Sequence, residues 1–125
     1  MDTDSVSTNE ASIPIHVIVF CTIHSGRIDA FKAAIGRVFD KVRDNEPGTQ
    51  ALACYLNADE TEAVVREVYD DSDAVLAHLG NVGAALGELM ATCTMSITVL
   101  GDVSPALRAA TAALQPSIFT EHLRV

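Results

Sequence analysis

Basic side chains are scarce: eight Lys and Arg stand against 17 Asp and Glu in a chain of 125 residues, a formal net charge of -9. They are scattered rather than gathered into a stripe, so neither nucleic acid nor an anionic membrane surface is an expected partner. Cysteine is also sparse. Cys21, Cys54 and Cys93 are odd in number and far apart, with no C-x-x-C pair and no zinc-like spacing. That speaks against a disulfide framework and leaves buried, reduced thiols as the expectation. Long apolar runs are missing: the longest, Val17 to Cys21, falls far short of the roughly 18 residues of a membrane span. Residues 1–12 (MDTDSVSTNEAS) have neither a basic n-region nor an apolar h-region, so they are read as a mobile acidic tail, not a signal peptide, and a cytoplasmic location is expected. His16, His24, His78 and His122 fall on separate elements without the spacing of a metal site, and no bound metal is expected. There is no G-x-G-x-x-G, Walker A or G-x-S-x-G string, and the glycines of the Gly80–Gly83 stretch do not follow a strand, so a phosphate cradle is not expected.

What is present is enough apolar material for one core. Hydrophobic residues make up 49% of the chain and charged residues 20%, a globular rather than a disordered composition. A single domain is expected over residues 13–125. Ile15 to Ile23 (IHVIVFCTI) is apolar or β-branched almost throughout, as in a strand buried on both faces. After the turn residues His24-Ser25-Gly26, the spacing of Ile28, Phe31, Ile35, Val38 and Val42 predicts a helix from about Arg27 to Arg43. Asn45-Glu46-Pro47-Gly48 cannot continue it and is read as a connector.

Gln50 to Asn57 and Glu62 to Asp70 read as two antiparallel strands around a short hairpin loop. Ser72 is expected to cap a helix from Asp73 to Leu79. Gly80-Asn81-Val82-Gly83 is expected to break that helix before a second apolar periodicity at Leu86, Leu89 and Met90. Cys93 to Leu100 is a fourth strand. Ser104-Pro105 then opens a short helix from Ala106 to about Leu114, followed by an extended arm from Ser117 to Val125.

The order strand, helix, strand, strand, helix, strand is the ferredoxin-like split βαβ pattern of an α+β domain. Right-handed crossovers put both main helices on one face of the sheet. Yet the first strand is apolar at both parities, with Ile15, Val17, Val19 and Cys21 on one and Ile18 and Phe20 on the other. Leaving about six such side chains bare at roughly 25 cal/mol per Å² would forfeit several kcal/mol, comparable with a small domain's whole stability. A homodimer packed sheet to sheet is the expected solution.

Between Ile15 and Gly101 the sequence resembles the antibiotic biosynthesis monooxygenase family of dimeric α/β barrels, including its quinol-oxidising relatives. The resemblance lies in the apolar first strand, Gly26 before an amphipathic helix carrying Phe31, Glu46-Pro47-Gly48-Thr49 entering the second strand, and Glu67-Val68-Tyr69-Asp70-Asp71-Ser72-Asp73-Ala74 leading to His78-Leu79. It implies a dimer with a pocket between the sheet and the second main helix, and oxidation of quinols or polyketide aromatics by molecular oxygen without metal or flavin, so no cofactor is expected. The haem-degrading branch uses a tryptophan, and this chain has none. Oxidising members often carry an amide and an aromatic on one face of the third strand; here that face reads Val65, Glu67, Tyr69. A second histidine shortly after the first is also absent, since Asn81, Val82 and Gly83 follow His78.

His78 is the candidate base. It lies beside the apolar face of its helix, and histidine is the residue type suited to taking a phenolic proton near neutral pH. The competing reading is a histidine serving the helix C-terminus. Glu67 and Tyr69 share one face of their strand; a carboxylate there needs a partner, expected to be a ligand or an arginine such as Arg27, Arg37 or Arg43. Tyr69 would line the pocket. His16, Ile18, Phe20, Tyr55, Asn57 and Val65 are the further ligand-pocket candidates. The resulting expectation is a cofactor-independent monooxygenase-like enzyme acting on a small phenolic or quinol-type aromatic. The alternatives are a non-catalytic dimer that binds a small apolar ligand or supports another pathway protein, and a polyketide isomerase or cyclase using the same pocket.

Overall fold

Nine residues, Ile15–Ile23, form β1, and their alternation decides the architecture: Ile15, Val17, Val19, Cys21 and Ile23 are buried while His16, Phe20 and Thr22 are exposed. β-branched side chains at alternate positions favour the extended chain and give it one dry face. The computed structural model describes residues 13–125; the tail expected over residues 1–12 lies outside them. The chain continues through α1 (Ile28–Asn45), β2 (Thr49–Leu56), β3 (Glu62–Tyr69), α2 (Ser72–Met90), β4 (Cys93–Leu100), α3 (Pro105–Thr111), a 3₁₀ turn (Ala112–Leu114) and β5 (Ser117–Phe119). The sheet order is β2-β3-β1-β4-β5. The first four strands pair antiparallel, and β5, the first part of the expected arm, adds itself parallel to β4.

Register carries the inner face of β1 across the sheet: Val17 is opposite Glu67 on β3 and Val99 on β4, and Val19 is opposite Val65 and Ile97. Both long helices pack on this face, α1 through Phe31, Ala34 and Val38 and α2 through Val75, Val82, Ala85 and Leu89. Among the described residues no helix covers the outer face. There Phe20 is 51% and Tyr55 56% exposed, beside Ile18, Val64 and Leu100.

Two details of α2 differ from the sequence expectation. It runs unbroken through Gly80-Asn81-Val82-Gly83 to Met90. Gly80, Gly83 and Gly87 all lie on its exposed side, and a glycine in a helix costs only about 1 kcal/mol relative to alanine, less than burial of Val82, Ala85 and Leu89 returns. Its N-cap is Asp71, whose side chain accepts from the Ala74 amide at 2.9 Å, and not Ser72. Ser72 instead ties the C-terminal segment down: its hydroxyl oxygen accepts from the Ser104 amide at 2.9 Å. Ser104 in turn caps α3, with Pro105 at the first helical position as expected.

The connector between α1 and β2 packs closely on α2. Gly48 accepts a backbone hydrogen bond from Asp70 at 2.9 Å, and a Cβ placed on it would lie 2.8 Å from the Ala74 Cβ.

Candidate functional site

That connector delivers Glu46 to the buried side of α2. Its carboxylate, 2% exposed, accepts from His78 Nδ1 at 2.8 Å, from Thr49 Oγ1 at 2.6 Å and from Asn81 Nδ2 at 2.7 Å. His78 and Asn81 stand three apart on α2, so both reach the same point beside the helix. Asn81 also donates to the Lys41 carbonyl at 3.0 Å, which anchors the group to the last turns of α1. Across the helix–sheet gap, the Tyr69 hydroxyl donates to Glu67 Oε1 through a very short contact. That same oxygen stands 4.0 Å from His78 Nε2, and the Tyr69 and His78 rings pack with centroids 5.2 Å apart. The chain Asn81–Glu46–His78–Glu67–Tyr69 therefore joins α2, the connector and β3.

The two carboxyl groups are pushed in opposite directions. Burial raises Glu46, but hydrogen bonds from Asn81, Thr49 and His78, together with the charge attraction of His78, outweigh it and hold the group below the usual carboxylate value. Glu67 is raised by burial, with the proximity of Glu46 adding to the effect and the Tyr69 hydrogen bond and His78 only partly opposing it. Tyr69 is driven upward by burial and by Glu67, so it remains a protonated donor. An ionised Glu46 requires the imidazole proton on Nδ1. The lone pair of the neutral ring then sits on Nε2, facing Glu67 across a gap too wide for a hydrogen bond.

Nε2 and Glu67 border a cavity of about 90 Å³ between the inner sheet face and the helices, several times what a single water needs. Its walls include Val17, Val19, Val65, Leu86 and Ile97, and among the described residues its polar side chains are Glu67, His78 and Thr111. Among the described residues no group of three or more His, Cys, Asp or Glu is arranged to hold a metal ion.

The structure brings together His78, Glu67 and Tyr69, with Val65 in the cavity wall beside them. Because α2 does not end at Leu79, His78 sits mid-helix and serves no helix terminus. No arginine reaches Glu67: Arg37 pairs with Glu88 at 3.0 Å and Arg43 with Asp40 at 2.8 Å. His16, Ile18, Phe20 and Tyr55 lie on the outer sheet face, away from this cavity, because they have the opposite strand parity to Val17 and Val65. His16 instead borders an open hollow with Leu100, Phe119 and Arg124. Asn57 is taken up by the hairpin, its side-chain oxygen accepting from the Thr61 and Glu62 amides. Glu46 and Asn81 were not anticipated as site residues. The available signals were an acidic residue held next to a Pro-Gly turn and an amide one helical turn after the candidate histidine.

A family model described as antibiotic biosynthesis monooxygenase matches residues 14–85. No curated protein matches the chain. Among solved structures, MupZ from Pseudomonas fluorescens is similar with a TM-score of 0.79 and 24% identity, over 90% of this chain and 93% of that one. SnoaB, a cofactor-independent oxygenase from Streptomyces nogalater, is similar at 0.63 and 20%, over 75% and 96%. Rv0793 from Mycobacterium tuberculosis is similar at 0.64 and 23%, over 75% and 99%. At these identities the structural likenesses establish the fold, while the family match covers more than half of the chain, from β1 through most of α2. The chain belongs to the antibiotic biosynthesis monooxygenase family.

Proposed function

We propose that this protein is a cofactor-independent, monooxygenase-like enzyme in which His78 removes a proton from a small phenolic or quinol-type substrate held in the cavity. The observation that carries this reading is the Glu46–His78 contact: the carboxylate lies 2.8 Å from Nδ1, which favours the proton there, while His78 borders an apolar cavity with its Nε2 4.0 Å from Glu67. A proton taken from the substrate hydroxyl onto Nε2 leaves an electron-rich anion. Burial raises Glu67 and so favours its protonated form, in which it can donate to the developing oxyanion. Molecular oxygen, as co-substrate, then adds to a ring carbon of the anion; one oxygen atom stays on the ring and the other leaves as water, the substrate supplying the electrons and protons, so that a quinol ends as the hydroxyquinone. SnoaB's description as a cofactor-independent oxygenase supports this choice of reaction.

A second reading has its own support. An imidazole and a carboxyl group raised by burial, 4.0 Å apart, are also the equipment of an isomerase or cyclase that needs no oxygen. The discriminating experiment presents the purified protein with a panel of hydroquinones and enolisable ketones, following oxygen uptake and solvent-deuterium exchange in parallel. Oxygen uptake abolished by His78→Ala supports the monooxygenase. Exchange without uptake supports the isomerase or cyclase, and saturable binding with neither supports a non-catalytic binder and overturns both.

The working unit is proposed to be a homodimer packed through the outer sheet face. Its support is the exposure of Phe20, Tyr55 and Leu100 around the half-buried Ile18 and Val64 on the one face that no helix covers. A cytoplasmic location is proposed with it, because Cys21, Cys54 and Cys93 are all free thiols, which suits a reducing compartment. No helix among the described residues is long and apolar enough to cross a membrane.

A further inference from the structure

The far wall of the cavity comes from outside the family-matched residues 14–85. Val103, Leu107, Thr111, Leu114, Pro116 and Ile118 all border it, and they belong to the segment that runs from the end of β4 through α3 to β5. This segment is held at both ends, by the Ser104–Ser72 hydrogen bond and by the parallel pairing of Ile118 with Val99. It is a wall built into the fold. Thr111, its single polar member at the cavity, directs its hydroxyl proton to the Leu107 carbonyl at 2.9 Å, so the wall offers the cavity no free donor. No Lys or Arg borders the cavity, and its one aromatic residue is Phe39.

The polar pair lies at the other side. Glu67 is on β3 and Ile118 on β5, three places apart in the order β3-β1-β4-β5, a span of roughly 14 Å at the usual strand spacing. On the reading that this cavity is the substrate site, we propose that its substrate is a neutral molecule with an ionisable hydroxyl at one end and an aliphatic chain at the other. The hydroxyl meets His78 and Glu67, and the chain lies against Leu107, Leu114 and Ile118. A group that arrives as an anion is disfavoured because among the described residues no Lys or Arg borders the cavity and the one imidazole there, His78, is already held by Glu46. A flat polycyclic ligand would leave the aliphatic wall poorly used.

The test measures the affinity of the full chain for a series from 4-methylphenol to 4-hexylphenol by calorimetry, with 4-hexylbenzoate at pH 8 as the charged control. Affinity is expected to rise with chain length, by up to about fourfold for each methylene buried, and hexylbenzoate is expected to bind at least about tenfold more weakly than hexylphenol. Leu114→Gln should flatten the dependence on chain length, lowering the affinity for 4-hexylphenol several times more than that for 4-methylphenol. Ile118→Thr provides the same test at the other end of the wall, and melting curves identify any variant that has lost its fold. Affinity independent of chain length, equal binding of the benzoate, or an unchanged slope in both folded variants would overturn the proposal. Chain-dependent binding without oxygen uptake or isotope exchange would sink only the catalytic reading. Turnover of short quinols with no chain dependence would sink only this inference.

Discussion

Replacing Glu46 by Gln tests the centre of the site without changing its shape. In the native chain one carboxylate receives protons from three side chains, Thr49, His78 and Asn81. The glutamine amide has one acceptor oxygen and one donor nitrogen, so the pattern must rearrange. If its oxygen stays toward Thr49 and His78, its NH₂ confronts that of Asn81, which is already committed to the Lys41 carbonyl. If it faces Asn81 instead, its NH₂ can donate to Thr49 Oγ1 and, provided His78 moves its proton from Nδ1 to Nε2, to the vacated Nδ1 lone pair. The second arrangement avoids setting two amide NH₂ groups against each other at a buried site and should prevail. The cost is then the charge assistance of three hydrogen bonds, about 1 kcal/mol each, or about 3 kcal/mol in all, reduced toward 1–2 kcal/mol because a charge no longer has to be buried.

Urea denaturation at pH 7 should register this loss, and nitrogen-15 spectra of the imidazole should report the exchanged tautomer. With Nε2 protonated in the neutral ring, any reaction that uses its lone pair should slow by on the order of 10³- to 10⁴-fold, as when a triad Asp becomes Asn. The stability gap also has a defined pH dependence. Because the folded value of Glu46 is depressed, its contribution is present above the ordinary value of 4.5 and is lost as pH falls through the folded value, so wild type and variant should converge in acid. Wild-type stability with Nδ1 still protonated in E46Q would refute the reasoning.

Glu67 should behave oppositely. Its folded value is raised, so the unfolded chain releases this proton first and stability falls as pH climbs above about 4.5; the stability of Glu67→Gln relative to wild type should increase over that range, and a pH-independent difference would contradict a raised Glu67. Gly80→Ala and Gly83→Ala place methyl groups in open space on a continuous helix and should each raise stability by about 0.5–1 kcal/mol in thermal melts; a loss at either would indicate the broken helix that the sequence suggested. Phe20→Asp should convert the protein to a folded monomer in sedimentation experiments, removing on the order of 2 kcal/mol of apolar burial per protomer. A wild type that is already monomeric at micromolar concentration would refute the proposed dimer.

The first strand was legible because Ile15–Ile23 is apolar or β-branched almost throughout and too short for a buried helix before its turn residues, although its two faces differ in burial where the sequence suggested both were covered. The continuous α2 was obscured by its glycines, although the buried positions Ser72, Val75, His78, Val82, Ala85 and Leu89 keep helical spacing straight through them. Strand parity says which side chains share a face but not which face the helices cover. That is why His16, Ile18, Phe20 and Tyr55 could be grouped with Val65 until the register placed Val65 opposite Val19 and Tyr55 opposite Val64. Glu46 was hidden for a different reason. Its meeting with His78, 32 residues later, depends on how a connector folds back on a helix, and no local periodicity encodes that.

The close approach at Gly48 gives this meeting an unusual origin. Ala74, one turn before His78 on α2, already occupies the place that any side chain at position 48 would need. Its neighbour there is itself a single methyl, so no flexible chain could swing aside. The connector would have to lift away from α2 and carry Glu46 with it. The reach of the carboxylate to the imidazole is thus set by a hydrogen atom two residues downstream, and the smallest substitution available to the chain would loosen the dyad without touching either of its members.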